Sequence, residues 1–304
     1  MKVFVTGVGG QLGHDVMNEL HKRGMEAIGS DIAPAYSGID DGSFVTGAPY
    51  VQLDITDREA VFRALEAVRP DAVIHCAAWT AVDAAEDEDK QELVRAINVS
   101  GTAHIAAACK AVDAKMMYIS TDYVFDGQGT DPWQPDCTDY APLNVYGKTK
   151  LAGELTVRET LERHFIVRIA WVFGLNGKNF IKTMLTVGKK FDTLRVVNDQ
   201  IGTPTYTLDL ARLLVDMIQT EKYGTYHATN EGGYISWYDF ACEIFRQAGY
   251  ATKVNAVTTA EYGLSKAARP FNSRLDKSKL VESGFLPLPA WQDALGRYLK
   301  EIEV

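Results

Sequence analysis

"KVFVTGVGGQLG" (2–13) decides the fold, because its character changes in the middle. Residues 2–7 are a short apolar, β-branched run that stops at a glycine, which is the pattern of a buried strand. Gly7, Gly10 and Gly13 mark the junction with "QLGHDVMNELHKRG" (11–24). In that stretch Leu12, Val16 and Leu20 recur at helical spacing and Gly24 closes the helix. Glycines between a strand and a helix allow a tight turn and a close approach of the backbone to a pyrophosphate. The helix N-terminus adds free N–H groups and the positive end of its dipole. A lone glycine motif is weak evidence; here the flanking strand and helix supply the context that the dinucleotide reading requires. Asp31 ends the next strand, "MEAIGSD" (25–31), where a carboxylate can accept hydrogen bonds from an adenosine ribose.

The same alternation continues outward. "YVQLDITD" (50–57) ends in a helix cap, "REAVFRALEAVRP" is the helix, and "DAVIHCAA" (71–78) is another buried strand. A long helical stretch runs through "ELVRAINVSGTAHIAAACKAV", and the strands "AKMMYISTD" and "RHFIVRIAW" flank one more helix. Strands that alternate with helices predict an α/β fold, a Rossmann-type doubly wound parallel sheet covered on both faces. After about residue 172 the rhythm loosens into short strands, helices at 206–219, 236–248 and 290–302, and Pro-containing loops. The expected division is a dinucleotide-binding domain over 1–171, with a segment near 196–220 returning to it. A smaller C-terminal substrate-binding lobe takes 172–195 and 221–304.

Composition narrows the function. The 304 residues carry a net charge of -9, which argues against nucleic acid and acidic membrane surfaces as partners. Cys76, Cys109, Cys137 and Cys242 lie far apart with no CxxC, so they read as reduced thiols, and no Cys/His cluster has metal-ligand spacing. No apolar run approaches a membrane span, and the N-terminus enters a strand directly without a signal peptide, so a cytoplasmic protein is expected.

"NVYGKTK" (144–150) lies on the helix between the last two strands and places Tyr146 and Lys150 four residues apart, on one helical face. On its own this is as compatible with a ring packed beside a lysine stem as with two groups acting on one ligand. Together with "TGxxGxxG" it resembles the extended branch of the short-chain dehydrogenase/reductase superfamily. More specifically, "STDYVFDG", "PLNVYGKTKLAGE", "WVFG", "NFIKTML", "NDQIGTPT" and "RPFNSRL" are similar, in order along the chain, to the dTDP-4-dehydrorhamnose reductases.

The resemblance implies a set of roles. Tyr146 and Lys150 would perform the proton transfer, with Thr121 completing the triad and Ser120 as its neighbour. The cofactor would lie along Gly7, Gly10, Gln11, Leu12, Gly13, Asp31, Asp54, Ile55, Ala77, Ala78 and Thr80, reaching Tyr146 and Lys150. Val82, Thr121, Asp122 and Trp171 would line the sugar pocket, and Asn98 takes the position of a structural or relay Asn. For the substrate's diphosphate, Arg274 is the first choice, with Lys182 and Arg269 behind it.

The implied reaction is reduction of the C4 keto group of dTDP-4-dehydro-L-rhamnose to dTDP-L-rhamnose, with NADPH or NADH as donor. Asp31 opposes a 2′-phosphate and "SDIAPAYSG" offers no Arg or Lys to receive one, so dual use with good tolerance of NADH is expected. A lysine cation beside Tyr146 is expected to bring the phenol toward neutral working pH. Dehydratases of this superfamily carry Glu where this chain has Tyr123; epimerases share the Tyr–Lys pair, and a non-catalytic cofactor-binding regulatory subunit is a further alternative. A homodimer is left open, and no complete acidic set for a magnesium bridge can be placed.

Overall fold

The computed structural model describes residues 1–303. The first half follows the expected alternation: β1 (Lys2–Thr6), α1 (Gln11–Lys22), β2 (Glu26–Asp31), β3 (Tyr50–Gln52), α2 (Arg58–Val68) and β4 (Ala72–His75). The long helical stretch divides into α3 (Gln91–Arg95), a π-helical turn at Ala96–Gly101 and α4 (Thr102–Ala111). Then come β5 (Lys115–Thr121), α5 (Val145–Thr160) and β6 (His164–Ile169). The second half contains β7 (Val172–Phe173), α6 (Phe180–Gly188), β8 (Thr193–Val197), β9 (Ile201–Gly202), β10 (Thr205–Tyr206), α7 (Thr207–Ile218) and β11 (Gly224–His227). It closes with β12 (Asn230–Glu231), β13 (Ile235–Ser236), α8 (Trp237–Ala248), β14 (Lys253–Val257), α9 (Thr259–Tyr262), α10 (Ser278–Glu282), β15 (Leu288–Ala290) and α11 (Trp291–Glu301).

Seven strands form one parallel sheet in the order β11-β6-β5-β4-β1-β2-β3. The strand order reverses direction at β1, and the crevice beyond the carboxyl ends of β1 and β4 is where such sheets take ligands. Val3, Phe4 and Val5 are fully buried, since successive side chains face opposite layers and both layers are covered. One layer packs Val5, Val16, Leu20 and Leu214 together; the other packs Phe4, Val61, Leu65 and Ile105.

The return to the main sheet differs from the expected boundary. The segment 196–220 supplies helix α7, which packs beside α1 and against the sheet, rather than a sheet strand. The returning strand is β11, inside the stretch assigned to the lobe, with Thr225 opposite Ile166 and His227 opposite Arg168. The chain passes through α7 and comes back beside β6, where four residues suffice because the neighbouring strand supplies their burial. The lobe has its own core of Phe173, Ile181, Leu185, Phe240, Trp291 and Leu295.

Candidate active site

The glycine loop turns at Gly7, whose φ of +73° favours a residue without Cβ. A Cβ there would also sit 2.6 Å from the Ala77 nitrogen, so the ends of β1 and β4 are held close. Gly7 N and Val8 N donate to Ser30 O at 2.8 and 3.3 Å, which fixes the loop to β2. Helix α1 begins at Gly10 with no side-chain cap, and Gly10, Gln11, Leu12 and Gly13 line a cavity of about 780 Å³. An uncapped, glycine-lined helix N-terminus facing a large cavity is a fitting seat for a diphosphate.

Asp31 stands at the same end. Its Oδ2 accepts from Gly9 N at 2.9 Å and its Oδ1 from Ile32 N at 2.8 Å, so the carboxylate is fixed by backbone at the cavity wall. Asp54, Ile55, Ala77, Ala78 and Thr80 continue the lining along one side. Together these residues fit an extended dinucleotide. Thr6 and Ser30 also line the cavity but carried no motif in the sequence.

Helix α5 brings Tyr146 and Lys150 to the middle of the cavity, opposite Thr121 at the end of β5. Asn144 caps the helix by accepting from Gly147 N at 2.8 Å. Lys150 Nζ donates to Ile119 O at 2.7 Å and lies 4.1 Å over the Tyr118 ring. Burial lowers its pKa to about 7. Tyr146 departs from expectation: burial pushes its phenol up, with the Thr121 hydrogen bond acting against this. The ammonium is engaged by the β5 carbonyl, so in this state it does not pull the phenol down.

The Thr121 hydroxyl donates to Asp122 Oδ1 at 2.9 Å. It can therefore accept from the phenol, and must leave Asp122 before donating to a ligand. Burial raises the Asp122 carboxyl to about 6, and its Oδ2 has no protein partner among the described residues. Ser120 Oγ is likewise buried without a partner and lines the cavity.

At the far end stand Val82, Tyr123, Trp171, Phe180, Trp237 and Arg269. Trp171 sits just past β6 with φ +50°, an uncommon conformation for a bulky residue, and stacks on Trp237 at 3.7 Å. Tyr123 meets Tyr146 edge-on at 5.6 Å.

Two of the basic candidates lie elsewhere. Arg274 does not line the cavity: its guanidinium donates to Asn272 Oδ1 at 3.0 Å, and its backbone carbonyl accepts from Trp133 N. Lys182 Nζ donates to carbonyls of the preceding turn, including Gly177 O at 3.1 Å. Arg269 is the arginine that lines the cavity, joined by Lys178, which sequence reading passed over. Asn98 is buried and structural: it accepts from Trp79 N at 2.8 Å and donates to Thr149 Oγ1 at 3.1 Å. The π-helical turn aims it between the cofactor-side loop and α5.

Behind α5, one turn beyond Lys150, Glu154 receives Arg168 in a fork of 2.8 and 2.7 Å, both side chains fully buried. Tyr140 OH accepts from the same guanidinium at 2.9 Å. This pair locks α5 to β6.

Residues 1–304 match the family described as "RmlD substrate binding domain". The chain is 38% identical to the spore coat polysaccharide biosynthesis protein SpsK of Bacillus subtilis, covering 99% of this chain and 97% of that one. It is also 38% identical to a dTDP-4-dehydrorhamnose reductase of Aggregatibacter actinomycetemcomitans, covering 97% of each. The crystal structure of a dTDP-4-dehydrorhamnose reductase from Bacillus anthracis in complex with NADP superposes with a TM-score of 0.87. That relative is 39% identical, covering 99% of this chain and all of that one.

Proposed function

The chain belongs to the RmlD substrate-binding-domain family, and from that premise we propose how its cavity works. The protein reduces the C4 keto group of dTDP-4-dehydro-L-rhamnose to give dTDP-L-rhamnose, using a nicotinamide cofactor. The observation that carries this reading is the meeting of Tyr146, Lys150 and Thr121 between a glycine-lined helix N-terminus and a wall of Val82, Trp171 and Trp237 in one cavity.

When bound, the reduced nicotinamide supplies a hydride to the carbonyl carbon. Gly10, Gln11, Leu12 and Gly13 hold the diphosphate of the cofactor; Asp31 holds its adenosine ribose. Tyr146 gives its proton to the oxygen on which negative charge develops. A phenol kept protonated by burial is in the form this step needs. Thr121, released from Asp122, donates a second hydrogen bond and fixes the carbonyl. Lys150, steadied by Ile119 O, engages the nicotinamide ribose as an ammonium. Val82, Asp122 and Trp171 border the sugar, and Arg269 faces its diphosphate.

NADPH and NADH both serve as donors. The relative from Bacillus anthracis holds NADP, whereas Asp31 here disfavours a 2′-phosphate and no Lys or Arg lines the cavity between residues 30 and 55. We infer a cytoplasmic reaction from the water-soluble nucleotide chemistry of its proposed substrate and cofactor; no described helix is long and apolar enough to cross a membrane.

The test is the loss of NAD(P)H absorbance on addition of dTDP-4-dehydro-L-rhamnose, followed with wild type and Tyr146→Phe. Wild type should turn over, and the variant should bind both ligands with kcat lower by roughly 10²–10⁴. No turnover by wild type with either cofactor would end the substrate assignment. A variant with near-normal kcat would remove Tyr146 as the acid.

A further inference from the structure

A strap, residues 266–270, comes from the lobe, lies on the loop that follows β4 and puts Arg269 in the cavity wall. One carboxylate organises the crossing. Asp83 Oδ1 accepts from Lys266 N at 3.1 Å, Ala267 N at 3.0 Å and Arg269 Nη1 at 3.0 Å, while its Oδ2 accepts from Arg269 Nη2 at 2.7 Å. Four donors from three residues of one short segment are an unusual commitment for a side chain 47% exposed. An ion pair this wet adds little to stability, so the arrangement calls for another purpose.

The neighbours indicate what that purpose is. Asp83 directly follows Val82, a residue of the sugar end, and Arg269 lines the cavity itself. Asn144, the cap of the catalytic helix, donates to Ala268 O at 2.8 Å, and Glu86 accepts from Val145 N at 2.7 Å. The strap, the β4 loop and the first turn of α5 are therefore pinned together beside Tyr146. Lys266 adds an ion pair to Asp87 from the same loop.

We propose that Asp83 is a positioning residue that holds the Arg269 guanidinium in the cavity wall, so that its remaining N–H groups meet the diphosphate of the nucleotide-sugar. The inference rests on the function proposed above. Asp83 uses one N–H of each terminal nitrogen of a guanidinium that carries five N–H groups in a fixed plane, and with the Tyr123 phenol as a further neighbour, donors remain for an anion. Fixing that plane beforehand lowers the ordering cost when the anion binds. The carboxylate stays ionised throughout, since the Arg269 fork and the strap amides hold it below the ordinary carboxylate range.

The experiment measures binding of dTDP by calorimetry to the NADPH-loaded protein, with NADPH affinity read separately from its fluorescence. Asp83→Asn keeps the shape and removes the charge, and should weaken dTDP by roughly tenfold while leaving NADPH affinity within about twofold. Arg269→Lys keeps the charge, loses the fork and should weaken dTDP similarly. Adding Asp83→Asn to Arg269→Met should cost nothing further, since the carboxylate acts only through the arginine. Asp83→Glu should restore part of the loss. Unchanged dTDP affinity in Asp83→Asn, or equal loss of dTDP and NADPH, overturns the positioning role while leaving the proposed function standing. Wild type that binds NADPH but no dTDP overturns both.

Discussion

Two arginine–carboxylate forks bracket helix α5. Behind it, Arg168 and Glu154 are both fully buried. In front, Arg269 and Asp83 are 24% and 47% exposed. The paired groups are the same in kind and the bond lengths nearly so, but water access sets their duties apart. The rear pair has given up its hydration, and the mutual fork compensates together with Tyr140, the Pro135 carbonyl, His227 and, on the Glu154 side, Arg158, so neither partner can be spared. The front pair has never fully left water, so losing it costs the fold little, and the arginine keeps donors for a ligand. On the proposed mechanism the site uses both kinds: one to hold the acid still, one to receive an incoming anion.

The largest effect that separates them is on stability. Arg168→Met leaves Glu154 charged and buried, and should cost about 3–5 kcal/mol in urea unfolding. Adding Glu154→Leu should recover much of that. A loss under about 1 kcal/mol for Arg168→Met would make the two forks equivalent and dissolve the contrast.

A smaller effect sharpens the account of the helix between them. Lys150 titrates at about 7 in the folded chain, well below its ordinary value. Cofactor affinity should be flat below pH 7 and weaken above it by at most about tenfold per unit, as the ammonium is lost. Stability of the cofactor-free protein should move the opposite way. Between about pH 7 and the ordinary lysine value the unfolded chain binds the extra proton, so stability rises with pH there. Lys150→Met should flatten both curves. A slope that survives in the variant belongs to another group.

The smallest effect completes the series. Asp83→Asn should lower unfolding free energy by less than about 1 kcal/mol, with the difference shrinking in high salt. A loss as large as that of Arg168→Met would mean that the strap is part of the fold's foundation.

How far the sequence could be read follows from where each signal is stored. The glycine turn and the strands from β1 to β6 are written locally, in apolar runs and in a residue that tolerates φ of +73°. The Tyr146–Lys150 pair is legible because helical spacing fixes a common face. "GTYHAT" reads as a short strand, but nothing in it tells which sheet it joins: it has no apolar run, and its burial comes from lying beside β6. Arg269 and Arg274 share the stretch "ARPFNSR" in an irregular segment, where no periodicity tells which one faces inward. The structure decides it through Asp83, which lies far away in the chain. The Lys150 partner was equally hidden, since a carbonyl of β5 has no side-chain signature. The expected pull of Lys150 on the phenol gave way for that reason.

The Trp171–Trp237 stack has an optical consequence. Trp171 leaves the end of the main sheet and Trp237 opens the first turn of α8, so the two indoles report on whether the two halves of the molecule are docked. Ring centroids 3.7 Å apart, with the planes inclined by only 14°, couple their transitions. The protein therefore carries a built-in chromophore pair, and any movement of one half against the other should appear as a change in its circular dichroism couplet without any attached label.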